Sequence, residues 1–396
     1  MRGRVLQLSM VATCLAVSLA LPLAAARSGQ PVTNAVWKWS GTFSDNAVTL
    51  LIIGDIQVHE RRADPATAFV NVRETLNKAD VVYANLEGVL VNSQGPDGDI
   101  PDKKGWTHPG PGGVLALKSA NVDVVGLANN VAYGRDNILQ TVKLLAANGI
   151  AHAGAGRNLD EAHKPAIIER KGVKIGFLQY TARWYREDHQ LATATSPGVA
   201  RITSRDGITI DVADLERMRN DIRRLRSQVD IVVVSHHNRD GATPVQFGPQ
   251  PPRPQGTPRP DRTKAEEYQK QFAHVALDTG ADLVFGHGTH TIQGAEIYDG
   301  KPILYAIGHS AFDQPGYEDS KDGLVIRAVI QDKQVQRVSV VPVSRDEHNN
   351  VLMMDPSSGE GARLVNVIRG VSAKVPLGID GQEVVVIDKR VQTSRR

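Results

Sequence analysis

Five short apolar runs in this chain each end in a cluster of polar residues, and that repeated pairing constrains the fold more than any other feature. The runs fall at residues 48–53, 81–84, 122–127, 231–234 and 281–285. They are rich in Val, Ile and Leu and of strand length. Helix-like segments lie between or after them, at residues 65–78 (with Phe69, Val72 and Leu76 along one face), 137–148, 211–228 and 264–279. Strands alternating with helices predict a layered α/β architecture. A short strand is expected at 150–153, and a hairpin from 166–168 and 173–179 around Lys171-Gly172. Further strands are expected at 295–298, 303–307 and 324–330, with 335–341 pairing back on the last of these. No internal repeat is evident.

The chain has 396 residues, 41% of them hydrophobic, which is enough for a sizeable core. Its formal net charge of +3 gives no basic footprint for nucleic acid. Residues 1–26 read as an export signal: Arg2 and Arg4, an apolar run over 5–23, Pro22, then Ala24-Ala25-Ala26. Cleavage is expected after Ala26, with a periplasmic or extracellular destination. The alternative is an uncleaved amino-terminal anchor, which would be the chain's one contact with a membrane. Cys14, the single cysteine, lies inside this segment, so any metal must be held by oxygen and nitrogen donors. An extended leader at 27–47, with Trp37 and Trp39 packing on the body, precedes one domain at 48–343. Residues 241–262 are Pro-rich loop. Residues 344–396 are weakly patterned and stand as an extension without an assigned role.

The polar clusters carry the chemistry. Asp55 follows Gly54 at the first strand end, the edge at which α/β sheets bind ligands. Glu87 closes the second run, and an acid there is poor core material. Asn129-Asn130 follows the third; as a pair it suits a turn, and as an amide carbonyl it suits a metal. Ser235-His236-His237-Asn238 ends the fourth run, and adjacent residues of a strand point to opposite faces, so at most one histidine serves a given site. The fifth ends in Gly286-His287-Gly288-Thr289-His290, two imidazoles in a glycine-containing turn. Together Asp, Glu, Asn and several His form the oxygen and nitrogen set of a two-metal site. His236 and His237 are also the candidates for acid–base work. Gly154-Ala155-Gly156 lacks the spacing of a dinucleotide-binding turn, and no serine sits in a Gly-x-Ser-x-Gly elbow.

The ordered set Gly54-Asp55, Asn85-Leu86-Glu87, Ala128-Asn129-Asn130, His236 and Gly286-His287-Gly288-Thr289-His290 resembles the poly-γ-glutamate capsule-synthesis (CapA-type) family. Gly154-Ala155-Gly156-Arg157-Asn158 and the run from Glu296 to Tyr305, followed by Gly308 and Phe312-Asp313-Gln314, fit it too, so the likeness covers roughly residues 48–315. It implies a calcineurin-like metallophosphoesterase fold, a β-sandwich flanked by helices. It further implies that Asp55, Glu87, Asn130, His236 and His290 ligate metal, with Glu87 bridging; His287 is expected as a displaced additional ligand. Two divalent ions are expected, of manganese, iron, zinc or magnesium. The implied partners are an anionic cell-envelope polymer or a phosphoester substrate, and a capsule-synthesis complex.

Three positions depart from the family pattern. Val131 stands where a histidine follows the paired Asn, Gly288 breaks the usual His-Pro-His, and Gly308-His309-Ser310 replaces Gly-Asn-Phe. His59, His237 and His309 are the imidazoles available to compensate. The competing expectation is a non-catalytic, polymer-binding assembly factor, with Arg253, Arg259 and Arg262 of the Pro-rich loop on its binding surface.

Overall fold

A computed structural model of the chain describes residues 36–58, 64–91, 112–238, 262–313, 321–372 and 374–393. The expected export segment, His59, Arg253 and Arg259 lie outside the described residues, as does nearly all of the Pro-rich loop. Among the described residues no helix is long and apolar enough to cross a membrane.

The first sheet starts with four parallel neighbours, β1 (Val48–Gln57), β2 (Val81–Leu86), β3 (Val124–Gly126) and β4 (Ala151–Ala153). The second is built from β5 (Ala166–Arg170), β6 (Val173–Thr181), β7 (Ile231–His237), β8 (Leu283–His287), β9 (Ala295–Tyr298) and β10 (Lys301–Leu304). Its spatial order is β9-β10-β8-β7-β6-β5, parallel except at the two edges. The expected hairpin forms between β5 and β6, with Lys171 (φ 49°) and Gly172 (φ 74°) both left-handed, as a tight two-residue turn requires. The chain then returns to the first sheet. β11 (His309–Phe312) runs parallel beside the end of β1, and β12 (Gly323–Gln331) pairs antiparallel along the rest of it. β13 (Gln334–Arg345) pairs with β12, as the pattern predicted.

One expectation is corrected. Residues 65–78 are not one helix but a 3-10 turn (Pro65–Phe69) and a single α-turn (Arg73–Leu76). Between them sit Val70, Asn71 and Val72, which lose rotamer freedom or compete for backbone bonds in a helix. Residues 344–396, expected as an extension without an assigned role, add strands to the first sheet. β14 (Val351–Met353) and β16 (Glu383–Asp388) both pair with β13, and β15 (Gly378–Asp380) pairs with β16.

Three apolar clusters define four layers. Leu50, Ile52, Tyr83, Phe177, Val233, Phe285 and Ile326 fill the space between the sheets. Outside the first sheet, Leu51, Val82 and Val125 meet Leu117 of α1 (Gly113–Ser119) and Ile138 and Leu145 of α2 (Arg135–Ala147). Outside the second, Val232, Val234 and Val284 meet Met218 and Ile222 of α3 (Val212–Arg226) and Phe272 of α4 (Glu267–Thr279). α3 begins where expected because the Asp211 carboxylate accepts from the Ala213 and Asp214 amides. Leu364, Val365 and Ile368 of α5 (Gly359–Val371) join the inter-sheet core. Each such fully buried side chain contributes about 1.5–3 kcal/mol. Trp37 is buried, and its amide donates to Thr75 Oγ1 at 3.0 Å, which ties the leader to the body.

Candidate metal centre

Strands from both sheets end at one place, and their first polar residues meet there. The turning point on β1 is Gly54. Leu51, Ile53, Ile56 and Val58 all join the outer cluster, so the strand's alternation slips by one residue at Gly54. That slip places Asp55 and Gln57 on the inner face. A Cβ on Gly54 would stand 2.4 Å from the Gly308 carbonyl, so glycine lets the β11 segment close on β1. Gly54 N–H donates to Ser310 Oγ at 2.9 Å, and Asp55 N–H to the Gly308 carbonyl at 3.3 Å.

Asp55 is fully buried. Asn85 Nδ2 donates to its Oδ1 at 2.8 Å, Gln179 Nε2 donates to Asn85 Oδ1 at 2.8 Å, and the Ala128 amide donates to Gln179 Oε1 at 2.7 Å. This relay fixes one carboxylate oxygen. The other, Oδ2, has no hydrogen-bond partner among the described residues and lies 3.9 Å from His290 Nδ1. Burial alone would raise the Asp55 carboxyl, but the approach of His287 and the charges of His287, His237 and His309 hold it well below the usual carboxylate range.

His290 Nδ1 and His309 Nε2 approach to 2.5 Å, and His309 stacks on Phe312 with ring centroids 4.0 Å apart. Asp55, His290 and His309 each offer a ligand atom, all within 4.8 Å of one another. His290 Nε2 lies 3.8 Å from Glu87 Oε1. His290 adopts φ 59°, uncommon for a residue with a side chain, and such strain is characteristic of functional sites. Burial first, then the charge of His309, lowers its pKa well below the ordinary value, which keeps the ring neutral and able to ligate.

His237 sits beside this group. Its Nε2 is 2.7 Å from Asn130 Oδ1 and its Nδ1 is 3.5 Å from Asn85 Nδ2. Amide carbonyl and amide nitrogen at these two positions select the tautomer that carries its proton on Nε2. Burial, partly offset by the Asp55 charge, lowers His237 to about 3.

His236 is the correction. It was expected among the ligands, yet it points to the helical layer, where it stacks on Phe272 at 4.5 Å and meets the edge of Tyr268 at 5.6 Å. Burial in that apolar setting lowers it to about 3. Strand alternation gives the inner position to His237 instead. His287, also expected as a ligand, is fully buried; its Nδ1 is 3.2 Å from Asp55 Oδ1, but neither ring nitrogen makes an aligned hydrogen bond among the described residues. It approaches the oxygen already held by Asn85. Val131 and Tyr133 are buried, with the half-buried Tyr185 packed against them, an apolar patch next to Asn130.

Three residues of the site have no role assigned from the sequence. Asn85 and Gln179 form the relay to Asp55, and their signal was a polar residue at the end of an apolar strand. Gln57, two residues beyond Asp55 on the same face, is fully buried, and neither of its side-chain amide atoms has a hydrogen-bond partner among the described residues.

Matches to known proteins give the family. The family model for the bacterial capsule synthesis protein PGA_cap matches residues 49–251 and 259–314. The chain belongs to this family. The PGA biosynthesis protein CapA of Bacillus subtilis (strain 168) is 25% identical over 317 residues, 77% of this chain and 74% of the relative. The capsule biosynthesis protein CapA of Bacillus anthracis is 24% identical over 308 residues, 76% of this chain and 68% of the relative. A probable polyglutamine synthesis accessory protein of Mycobacterium tuberculosis is 28% identical over 295 residues, 66% of this chain and 70% of the relative. The PGA_cap domain here has the calcineurin-like architecture, two mixed sheets flanked by helices. Its buried Asp55, His290 and His309 can hold a metal ion.

Proposed function

We propose that this capsule-synthesis protein is an exported, metal-dependent hydrolase that cleaves a phosphoester or a related bond during assembly of an anionic cell-surface polymer. The observation that carries the reading is the Asp55 carboxylate, with one oxygen fixed by Asn85, the other without a hydrogen-bond partner among the described residues, and two imidazoles within ligating reach. The donor set is oxygen and nitrogen, which suits manganese, iron, zinc or magnesium. Asp55, His290 and His309 would hold the first ion, and Glu87, Asn130 and His237 border the place for a second. A divalent ion there supplies Lewis-acid charge for a developing oxyanion. The chain's own part is to orient Asp55 through Asn85 and Gln179, keep the imidazoles neutral by burial, and exclude bulk water. Residues 1–26 support export, and the names of the Bacillus relatives support the polymer.

The test is hydrolysis of bis-p-nitrophenyl phosphate by the manganese-supplied protein. Glu87→Ala should abolish turnover and lower metal content while the unfolding midpoint holds. Unchanged turnover in that variant would sink the proposal. One observation favours a second reading, a polymer-binding assembly factor: Val131 packs against Tyr133 and Tyr185 where the family pattern places an imidazole. That reading predicts salt-sensitive polymer binding that survives loss of the metal ligands.

A further inference from the structure

Two imidazoles of the candidate centre rest on one ring, and that ring is held from a part of the chain that the family match does not reach. Phe312 stacks on His309 with ring centroids 4.0 Å apart and ring planes 2° apart, and it meets His290 at 5.2 Å. How well an imidazole holds a metal depends on its aim, and the groups around the ring set that aim. Phe312 is buried at the end of β11, so whatever fixes its backbone also fixes the surface behind both histidines.

The turn between β13 and β14, residues 346–350, does the fixing. Asn349 Nδ2 donates to the Phe312 carbonyl at 2.9 Å and to Asp313 Oδ1 at 2.6 Å. Arg345, buried at the end of β13, donates its Nη1 to the same carbonyl. A carbonyl oxygen has two lone pairs, and here both are engaged. The turn is shaped to present the Asn349 amide. Asp346 Oδ1 accepts from the His348 and Asn350 amides at 2.9 and 2.8 Å, and the Asp346 carbonyl accepts from the Asn349 amide at 3.1 Å. Asp346 Oδ2 accepts from Asn71 Nδ2 at 3.1 Å, which ties the turn to the segment before β2. Asn349 itself has φ 62°, a left-handed backbone that asparagine tolerates better than most residues.

We propose that Asn349 is a positioning residue of the metal centre: by fixing the Phe312 backbone it fixes the ring against which His309 and His290 are aimed. The inference rests on Asp55, His290 and His309 holding an ion. It gives the residues after 344 a part in the site, although the family match ends at residue 314.

The experiment is a manganese titration of the full chain, wild type beside Asn349→Gly, Phe312→Leu and the double variant, with urea unfolding of each in a chelator. Glycine adopts φ 62° without strain, so Asn349→Gly removes the amide and keeps the turn. The expected result is manganese affinity about tenfold weaker in Asn349→Gly, a similar loss in Phe312→Leu, and little further loss in the double variant. The visible absorption of the cobalt(II) form should also change in Asn349→Gly, a readout that stands even where Phe312→Leu fails to fold. A lower unfolding midpoint in Asn349→Gly, with wild-type manganese affinity and cobalt spectrum, would make the contact merely structural and overturn the inference. Losses that multiply in the double variant would overturn the route through Phe312. Absence of manganese binding by the wild type would instead refute the reading beneath it, and is seen before any variant is made.

Discussion

Two buried polar clusters in this molecule differ in whether their carboxylates meet a guanidinium. One lies on the outer side of the first sheet, under residues 37–43. There Glu383 is fully buried, yet Arg327 Nη1 donates to it at 3.0 Å, the Ser40 amide donates at 2.6 Å, and Ser339 donates its hydroxyl. Asp388 is met by Arg337 at 3.0 Å and by Arg390 at 2.6 Å. Trp39 and Phe43 cover Arg327 with their rings at 5.1 and 5.8 Å. The other cluster is the candidate metal centre, where Asp55 Oδ2, the Gln57 amide and both nitrogens of His287 have no aligned partner among the described residues. The first cluster ties the leader and the last strands to the sheet. In the second, a carboxylate oxygen stands beside an imidazole and meets no guanidinium among the described residues. Burial of a carboxylate alone does not mark a functional site; burial with an oxygen left without a described partner does.

The largest effect that can break this contrast should come from Glu383→Ala. It leaves Arg327 and Arg337 without their shared carboxylate, at a cost of about 3–5 kcal/mol. Urea unfolding should show that loss in the protein while metal content stays at the wild-type level. A loss of metal with no loss of stability would reverse the roles of the two clusters.

A smaller effect should come from Asp388. Burial would raise its carboxyl, but the hydrogen bonds from Arg390 and Arg337 outweigh that and lower it. A carboxyl whose folded pKa is depressed stabilises the fold above its unfolded value, near 4, and loses that contribution as pH falls through the folded value. Asp388→Asn should cost about 1.5–3 kcal/mol at neutral pH and flatten the acid side of the stability profile. An acid side as steep as in the wild type would remove Asp388 from the account.

Much of this was legible in the sequence, for reasons that also explain the misses. The five strand ends were visible because parallel strands buried on both faces read as unbroken apolar runs. The same property hid which histidine faces the site. Ile231, Val232, Val233 and Val234 show no alternation, so nothing in the run assigns a face to His236 or His237. The break in residues 65–78 is local and was readable from Val70-Asn71-Val72. Residues 344–396 were not readable, since β14 and β15 are three residues long and β16 pairs with a strand over forty residues away in sequence. His309 was noted only as a spare imidazole, because its place depends on the close approach of Gly54 to Gly308.

The most direct measurement is the metal content of the protein purified without chelators, beside His236→Phe, His237→Phe and His290→Ala. The account predicts bound divalent metal in the wild type and in His236→Phe, whose ring faces Phe272. It predicts loss in His290→Ala and weakened retention in His237→Phe. Metal lost from His236→Phe and kept in His290→Ala, or no metal bound by the wild type after manganese, iron or zinc is supplied, would contradict it.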